Sequence, residues 1–282
     1  MNIENILPVS STFQSQYLHI NRLGQEHIKD KKIVILGLVR NLESKLQNNI
    51  NKLLELVNIA ANYKIILFEN DSIDDTKNIL KELSKKNSNI ISLHETLNRQ
   101  QYGPVKDKNR TLALAEYRNK LLDIVKKEFF DYDYVIVCDM DFVDFSMHGC
   151  YNSFGWLSQY THIDAIAGNS FQLKPLLDNR LCLWNYDSWA FRQNCWNQLY
   201  YNNEYITYDP TSWFGIWLPP VGSSIMLVNS AFGGMTIYRL SKFINGNYSG
   251  DDCEHVTLHY SLSHNNQSFQ LYLNPSQIML VE

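Results

Sequence analysis

The sequence predicts an open, mostly parallel α/β sheet with helices on both faces. Short, continuous apolar runs rich in β-branched residues are typical of parallel strands that are buried on both sides. These runs alternate with longer segments whose apolar residues recur at helical spacing. The chain has 282 residues, of which 45% are apolar, and this is enough for the core of one large domain. Alternation of this kind favours a doubly wound, Rossmann-like fold.

The first three strands are predicted at residues 32–39, 64–68 and 89–93. Apolar residues recur at helical spacing between positions 46 and 57, and they predict the helix that joins the first two strands. A Ser-x-x-Asp pattern at Ser72 resembles the start of the next helix. Strand and helix therefore alternate from the beginning of the sheet.

The fourth strand is predicted at residues 134–138, after a helix that begins near Arg110. A polar stretch at 98–109 predicts a surface loop before that helix. Aromatic and amide residues then crowd into 151–214 with little periodicity, so we expect an irregular half there. A helix at 253–262 and a last strand at 269–273, which ends at Asn274 and Pro275, complete the prediction.

The charge balance and the cysteines restrict the class of protein. There are 25 basic and 29 acidic residues, so no broad positive field exists to bind nucleic acid. The five cysteines are odd in number and form no C-x-x-C pair, which favours a reducing compartment. No apolar run approaches the roughly 20 residues that span a bilayer, and the N-terminus does not have the order of a signal peptide. We therefore expect a cytoplasmic protein with no transmembrane segment, which meets membranes only through what it acts on.

Asp139 and Asp141 directly follow the fourth predicted strand. In extended chain, residues two apart face the same way, while Met140 between them faces the other way. Ligands of open α/β sheets bind beyond the carboxyl ends of the strands, and a divalent cation relieves the repulsion between paired carboxylates. The alternative is a pair of solvated loop aspartates or a helix cap. The strand-end position favours a metal site, with Mn²⁺ or Mg²⁺ as the ion.

Two further features point to the same edge of the sheet. Glu69, Asn70 and Asp71 follow the second strand, at the edge where ligands of open α/β sheets bind. Arg118 falls on the apolar face of the helix that begins near Arg110, and a buried arginine requires an anionic partner. That partner is either a carboxylate of the metal site or a donor diphosphate, or else Arg118 forms a structural ion pair. Arg110 is a weaker candidate for binding phosphate.

The C-terminal third contains a glycine pair and an acidic helix start. Gly233 and Gly234 predict a turn at which the backbone approaches a ligand closely, although a glycine pair alone indicates only a turn. Asp251, Asp252 and Glu254 come at the mouth of the predicted helix. They are candidates for a general base, and helix capping is the alternative role.

His255 and His259 are four residues apart on the last predicted helix and therefore share one of its faces. This is the spacing of metal ligands, and carboxylates combined with histidine suit Mn²⁺ better than zinc. His264 is a weaker option. An ordinary packed or surface histidine is the alternative for each of them.

Aromatic residues are concentrated in the predicted irregular half. Aromatic rings pack against the apolar faces of sugars, while acids and amides bind the hydroxyls. Tyr186, Asp187 and Trp189 are the candidates for binding an acceptor. The aromatic residues form an equally ordinary core for an irregular segment, and they include Trp184, Trp196, Trp213 and Trp217.

Together these motifs resemble the GT-A glycosyltransferases from about Lys31 to Leu273. The segment after the second strand resembles their nucleotide-binding acidic segment, residues 115–119 resemble their Ala-x-x-Arg-Asn helix, and residues 139–141 match the D-x-D motif. Residues 232–234 and 250–252 resemble the glycine loop and the later acidic motif. The resemblance implies that Asp252 is the base of an inverting enzyme.

A narrower similarity is to the capsule-associated α-1,3-mannosyltransferase-like group. It is carried by the segments 69–72, 186–189, 253–256 and 272–275. Those relatives transfer mannose from GDP-mannose with retention, whereas a base at Asp252 implies inversion, so the stereochemistry stays open. They also often carry a membrane anchor, and this sequence contains no such segment.

The resemblance implies transfer of a hexose from a UDP- or GDP-sugar to a glycan or glycoconjugate hydroxyl. Residues 31–145 would form the nucleotide-sugar-binding half and 146–282 the acceptor-binding and catalytic half of one domain, after an N-terminal extension at 1–30. A sugar nucleotidyltransferase is the enzymatic alternative, but that class needs a glycine-rich loop with basic residues after the first strand, and the segment 37–41 offers only one glycine. A non-catalytic glycan-binding protein is the other alternative.

Overall fold

The computed structural model of the chain describes residues 3–103, 106–175, 181–193, 196 and 219–281. In this part of the chain ten strands form one sheet in the order β3-β2-β1-β4-β9-β6-β10-β5, with β7 paired to β6 and β8 paired to β10. The strands are β1 (Lys32–Val39), β2 (Asn62–Asn70), β3 (Ile90–Glu95), β4 (Tyr134–Asp139), β5 (Asp144–Phe145), β6 (Ala165–Pro175), β7 (Leu181–Tyr186), β8 (Met226–Val228), β9 (Met235–Arg239) and β10 (Leu271–Val281).

The sheet is mostly parallel, as predicted. Strands β1, β2, β3 and β4 pair in parallel, and β6 pairs in parallel with β10. Strand β9 lies between β4 and β6 and is antiparallel to both. Six strands therefore run in one direction, and they are β1, β2, β3, β4, β6 and β10. Their carboxyl ends meet at one edge, which is where the fold places a ligand.

Helices cover both faces of the sheet. They are α1 (Ile3–Ile6), α2 (Gln14–Ile28), α3 (Leu46–Val57), α4 (Thr76–Lys86), α5 (Lys108–Glu128), α6 (Met147–Gln159), α7 (Leu240–Phe243) and α8 (Glu254–Asn265). Ile33 and Ile35 of β1 pack with α2, α3, α4 and α6, whereas Val34 and Leu36 pack with α5 and α8. Successive strand residues thus enter opposite cores, and both cores are apolar because the sheet is covered on each side.

Two predictions about regular structure were wrong. The interval 151–214 was expected to be irregular, yet its described residues, 151–175, 181–193 and 196, include most of α6 together with β6 and β7. Helix α6 escaped detection because Gly149 to Leu157 are all buried, so no polar face reveals a helical period. Strand β10 runs on past Pro275, because a shift of register between Leu273 and Ile278 accommodates the proline.

The N-terminal helix α2 packs against α6 through two glycines. A Cβ atom on Gly24 would lie 1.8 Å from the carbonyl oxygen of Tyr151, and one on Gly155 would lie 2.1 Å from that of Ile20. Only glycine permits this approach of two helix backbones. No helix of the described residues is long and apolar enough to cross a membrane.

Candidate active site

A cavity of about 660 Å³ opens at the carboxyl ends of β1, β2 and β4. Arg40 follows β1, Asn70 ends β2 and Asp139 ends β4, and all three line the cavity. Helix α5 contributes Arg110 and Arg118 from one side. The cavity therefore lies where parallel strands of an open α/β sheet place their ligands.

Arg118 joins two of the acidic residues of this cavity. Its Nη2 donates to Asp139 Oδ1 at 2.9 Å and its Nε donates to Glu254 Oε1 at 3.2 Å. The side chains of Arg118 and Glu254 are almost fully buried. Burial alone would lower the pKa of Arg118, but Asp139 and Glu254 outweigh it and raise that pKa. The anionic partner predicted for Arg118 is therefore a carboxylate of the predicted metal site.

Asp139 and Asp141 both line the cavity, and Met140 between them borders it while packing into the core. The burial of Met140 between two accessible aspartates is the alternation expected at the end of a strand. Desolvation raises the pKa of Asp139 to about 6, against the attraction of Arg118 and with repulsion from Asp141. Such a shift shows that negative charge is costly here, which favours the binding of a cation.

The glycine pair lies behind the cavity wall. Gly233 and Gly234 have positive φ values of 58° and 73°, and a Cβ on Gly233 would lie 2.2 Å from the carbonyl oxygen of Gly168. The Gly233 amide donates to Asp187 Oδ2 at 3.0 Å, and the Gly234 carbonyl accepts from the Asp139 amide at 2.8 Å. The predicted contact of these glycines with a ligand is corrected: neither lines the cavity, and the pair orients two carboxylates that do.

Asp187 lies at the end of β7, with Tyr186 and Trp189 beside it in the cavity wall. Its backbone is left-handed, with φ 60° and ψ 27°, which is uncommon outside glycine. Desolvation raises the pKa of Asp187 to about 8, with further repulsion from Asp139 and Glu254. Strained backbone and a perturbed carboxylate in one cavity are typical of functional sites.

Of the three residues predicted to contact a nucleoside, Asn70 alone lines the cavity. Glu69 is buried and accepts hydrogen bonds from the amide of Ser72 and from His94, according to the tautomer of that histidine. Asp71 accepts from the amides of residues 97–99. The prediction for Glu69 and Asp71 is corrected, because their carboxylates hold the neighbouring loops together.

Asp252, the predicted base, is not among the residues that line this cavity. Its Oδ2 accepts from Nη2 of the fully buried Arg192 at 2.8 Å, and its Oδ1 accepts from the Cys253 amide at 2.7 Å. Glu254, the other predicted catalytic residue, lines the cavity but bonds Arg118. The structure thus separates two carboxylates that are neighbours in the sequence.

The two predicted histidine ligands occupy different environments. His255 lines the cavity and stacks on Phe232, and neither of its ring nitrogens has a hydrogen-bond partner among the described residues. His259 is fully buried, and its nitrogens face Ser230 at 2.8 Å and the Tyr238 hydroxyl at 2.7 Å. The prediction that His259 binds metal is corrected, since both of its nitrogens are already bonded within the core.

Several cavity residues were not singled out from the sequence. Arg40 and Asn41 follow β1 in the same way as Asn70 ends β2, so the strand-end rule would have found them. Tyr117 and Phe232 carry no comparable signal, because buried aromatic residues are ordinary core residues. Trp213 and Trp217 of the predicted aromatic group lie outside the described residues.

Strand order, crossover helices and cavity together define the GT-A fold, which is the fold of nucleotide-sugar glycosyltransferases. Two solved structures share it. A mannosyltransferase from Pyrobaculum calidifontis, PcManGT, solved with GDP-Man and Mn²⁺, matches with a TM-score of 0.50 and 8% identity over 95% of this chain. GalNAc-T7, solved with UDP, GalNAc and Mn²⁺, matches with a TM-score of 0.52 and 8% identity over 98% of this chain.

A further similar structure is residues 1–349 of S. aureus TarS, with a TM-score of 0.47 and 12% identity over 89% of this chain. The chain spans 60% of that TarS structure, 66% of PcManGT and 53% of GalNAc-T7. No family model and no curated protein matches the sequence. At these identities the likeness shows the fold.

Proposed function

We propose that the protein is a metal-dependent glycosyltransferase that moves a hexose from a UDP- or GDP-sugar to a hydroxyl of a glycan or glycoconjugate. One observation carries the proposal. Asp139, Asp141, Asp187 and Glu254 converge on one cavity at the strand ends of a GT-A fold. Carboxylates gathered in this way suit a divalent ion and a sugar with many hydroxyls.

Asp139 and Asp141 are the residues that would hold the metal ion. Among the described residues, no three side chains of His, Cys, Asp or Glu come close enough together to form a complete site. Two carboxylates nevertheless fit Mg²⁺ or Mn²⁺, because such ions are commonly held by one or two carboxylates together with substrate phosphates. His255 lies in the same cavity with no hydrogen bond to its nitrogens from the described residues and with Nε2 3.6 Å from Glu254 Oε1, and it is the proposed protein ligand beside them. A divalent ion there supplies charge neutralisation for the leaving diphosphate.

The remaining cavity residues are assigned by charge and position. Asn70 ends β2 and supplies an amide for the nucleoside. Arg110 lies near the start of α5 with its guanidinium 5.8 Å from the Trp189 ring centre, and it is the proposed contact of the diphosphate. Arg118 is already neutralised by two carboxylates and positions them. Tyr186 and Trp189 are the proposed acceptor contacts, so residues 31–145 bind the donor and 146–282 supply the acceptor side.

A thermal-shift screen of UDP- and GDP-sugars, with and without Mn²⁺, tests the proposal. A ligand at 100 times its Kd stabilises the folded state by about 2.7 kcal/mol, so the donor should raise Tm. Because the proposed metal ion holds the donor diphosphate, we expect this rise only when Mn²⁺ is present. Asp141→Asn should abolish this dependence and the Mn²⁺-dependent hydrolysis of the same donor. Asp123→Asn is the matched control, because Asp123 is exposed on α5 and does not line the cavity. Wild-type rates of donor hydrolysis by Asp141→Asn in the presence of EDTA would disprove the mechanism.

A further inference from the structure

The four carboxylates of the cavity have different partners. Asp139 and Glu254 share Arg118, and each gives it one oxygen. Asp141 is exposed next to Asp139. Asp187 has no basic partner within salt-bridge distance among the described residues, and the only hydrogen bond that its side chain accepts from them comes from the Gly233 amide. It is therefore the cavity carboxylate that is neither paired with Arg118 nor fully exposed.

Asp187 is held in one orientation. The Gly233 amide fixes Oδ2 at 3.0 Å, and Oδ1 accepts no hydrogen bond from the described residues. The left-handed backbone of Asp187 turns the chain from β7 into a 3-10 helix at Ser188–Ala190, and the residue lines the cavity between Tyr186 and Ser188. A carboxylate with one oxygen anchored and the other open is arranged for proton transfer.

We propose that Asp187 is the catalytic base, and that its Oδ1 takes the proton from the attacking hydroxyl. This inference rests on the proposed glycosyl transfer. The acceptor oxygen forms a bond to the anomeric carbon as the bond from that carbon to the diphosphate oxygen breaks. The hydroxyl proton passes to Asp187, and the nucleoside diphosphate leaves with the bonding electron pair. Direct displacement of this kind inverts the anomeric configuration.

The surroundings of Asp187 support this role. Desolvation, with repulsion from Asp139 on β4 and Glu254 on α8, raises its affinity for a proton, while Arg118 on α5 opposes them. A general base is most effective when its pKa lies near the working pH. Asp252, the base implied by the sequence resemblance, has both oxygens bonded and does not line the cavity.

Asp187→Asn is the decisive variant. Asparagine has nearly the same shape, tolerates left-handed backbone and still accepts from Gly233, so the variant should fold. We expect Mn²⁺-dependent hydrolysis of the donor found in the thermal-shift screen to fall by about 10²–10⁴-fold, the range for loss of a general base. The donor-induced rise in Tm should persist, because Asp187 is not a donor ligand in this proposal. A rate within threefold of wild type would overturn it.

The rate and the product of an azide-rescue experiment separate a base from a structural residue. In Asp187→Ala, sodium azide should restore cleavage of the donor and yield an inverted glycosyl azide, because azide attacks carbon without giving up a proton. Azide that fails to rescue a variant with an intact donor-induced Tm rise would contradict the assignment. Asp164→Asn is the control, because Asp164 is a buried aspartate that accepts from the Gln270 amide beside the start of β6.

The results also distinguish the two proposals. No hydrolysis and no donor-induced shift in wild type would remove the proposed function, and the base with it. Wild-type hydrolysis that survives in Asp187→Asn but is lost in Asp252→Asn, with the donor shift retained in both, would leave glycosyl transfer standing and overturn the role of Asp187. Loss in Asp187→Asn together with azide rescue of Asp187→Ala supports both.

Discussion

Arg118 and Asp139 form an ion pair of 2.9 Å that ties α5 to the end of β4. The same guanidinium bonds Glu254 at 3.2 Å, so it also reaches the start of α8. The start of α8, which is far along the chain, therefore meets α5 and β4 at one side chain. Because Arg118 and Glu254 are buried, this arrangement is sensitive to the loss of any of its members.

Replacing Arg118 with methionine should destabilise the fold strongly. The change leaves Glu254 buried without a cation, and breaking a buried ion pair costs about 3–5 kcal/mol. Urea denaturation gives the free energy of unfolding. Lys32→Met is the control, because the Lys32–Asp131 pair is exposed and such pairs contribute about 0–1 kcal/mol. Similar losses in both variants would contradict the special role of Arg118.

His255 and His259 provide a matched pair of substitutions. His255→Phe should keep the stack on Phe232 and leave stability almost unchanged, while raising the Mn²⁺ concentration needed for half-maximal donor hydrolysis at least tenfold. His259→Phe should leave that concentration unchanged but lower the free energy of unfolding, because the Tyr238 hydroxyl loses the His259 nitrogen and the Ser230 hydroxyl keeps only the Ala190 carbonyl. Each buried polar group left unpaired costs about 1–3 kcal/mol. An unchanged Mn²⁺ requirement in His255→Phe would remove that residue from the metal site.

Gly24→Ala should weaken the contact between α2 and α6. The added methyl group would meet the carbonyl oxygen of Tyr151 at 1.8 Å, so the helices must move apart. Overpacking typically costs about 1–3 kcal/mol, and the drop in Tm can be followed by circular dichroism. Gly103→Ala serves as the control, because a Cβ there meets no atom within 4 Å. Equal Tm values for Gly24→Ala and wild type would show that α2 and α6 can move apart without loss of stability.

Asp71 should contribute stability that depends on pH. Desolvation raises its pKa, but hydrogen bonds from Asn70 and from the amides of residues 97–99 outweigh this and lower the pKa to about 2, against 3.8 for an ordinary aspartate. Because the folded-state value is the lower one, the contribution is complete above about pH 4 and is lost as the pH falls through 2. The Tm difference between wild type and Asp71→Asn should be constant from pH 7 to 4 and shrink below pH 4. A Tm difference that increases as the pH falls below 4 would contradict the prediction.

Much of the fold follows from local patterns. Strand β1 has the predicted bounds, and the starts of β2, β3 and β4 fall within two residues of the prediction. Buried parallel strands appear as continuous apolar runs, so sequence alone reveals them. Helix α6 was missed for the opposite reason, since burial on all sides removes the polar stripe that marks a helix.

The candidate site was predicted less completely. The position of Asp139 and Asp141 follows from strand alternation, which is a local property of the backbone. The separation of Asp252 from Glu254 does not, because it depends on Arg192 and Arg118 approaching from distant segments. Spacing equally offered His255 and His259 as ligands, and only packing against Ser230 and Tyr238 distinguished them.

Sequence alone determined the alternation of strands and helices, and it placed a pair of carboxylates at the end of β4, because hydrophobic periodicity and backbone geometry act between near neighbours. The tertiary structure decided which carboxylates share the Arg118 guanidinium and which carboxylate keeps one oxygen without a hydrogen bond from the described residues. Asp187 shows the difference: its anchor is the amide of Gly233, 46 positions away. Hydrogen-bond partners at such separations are chosen by the folded chain, and no local pattern records them.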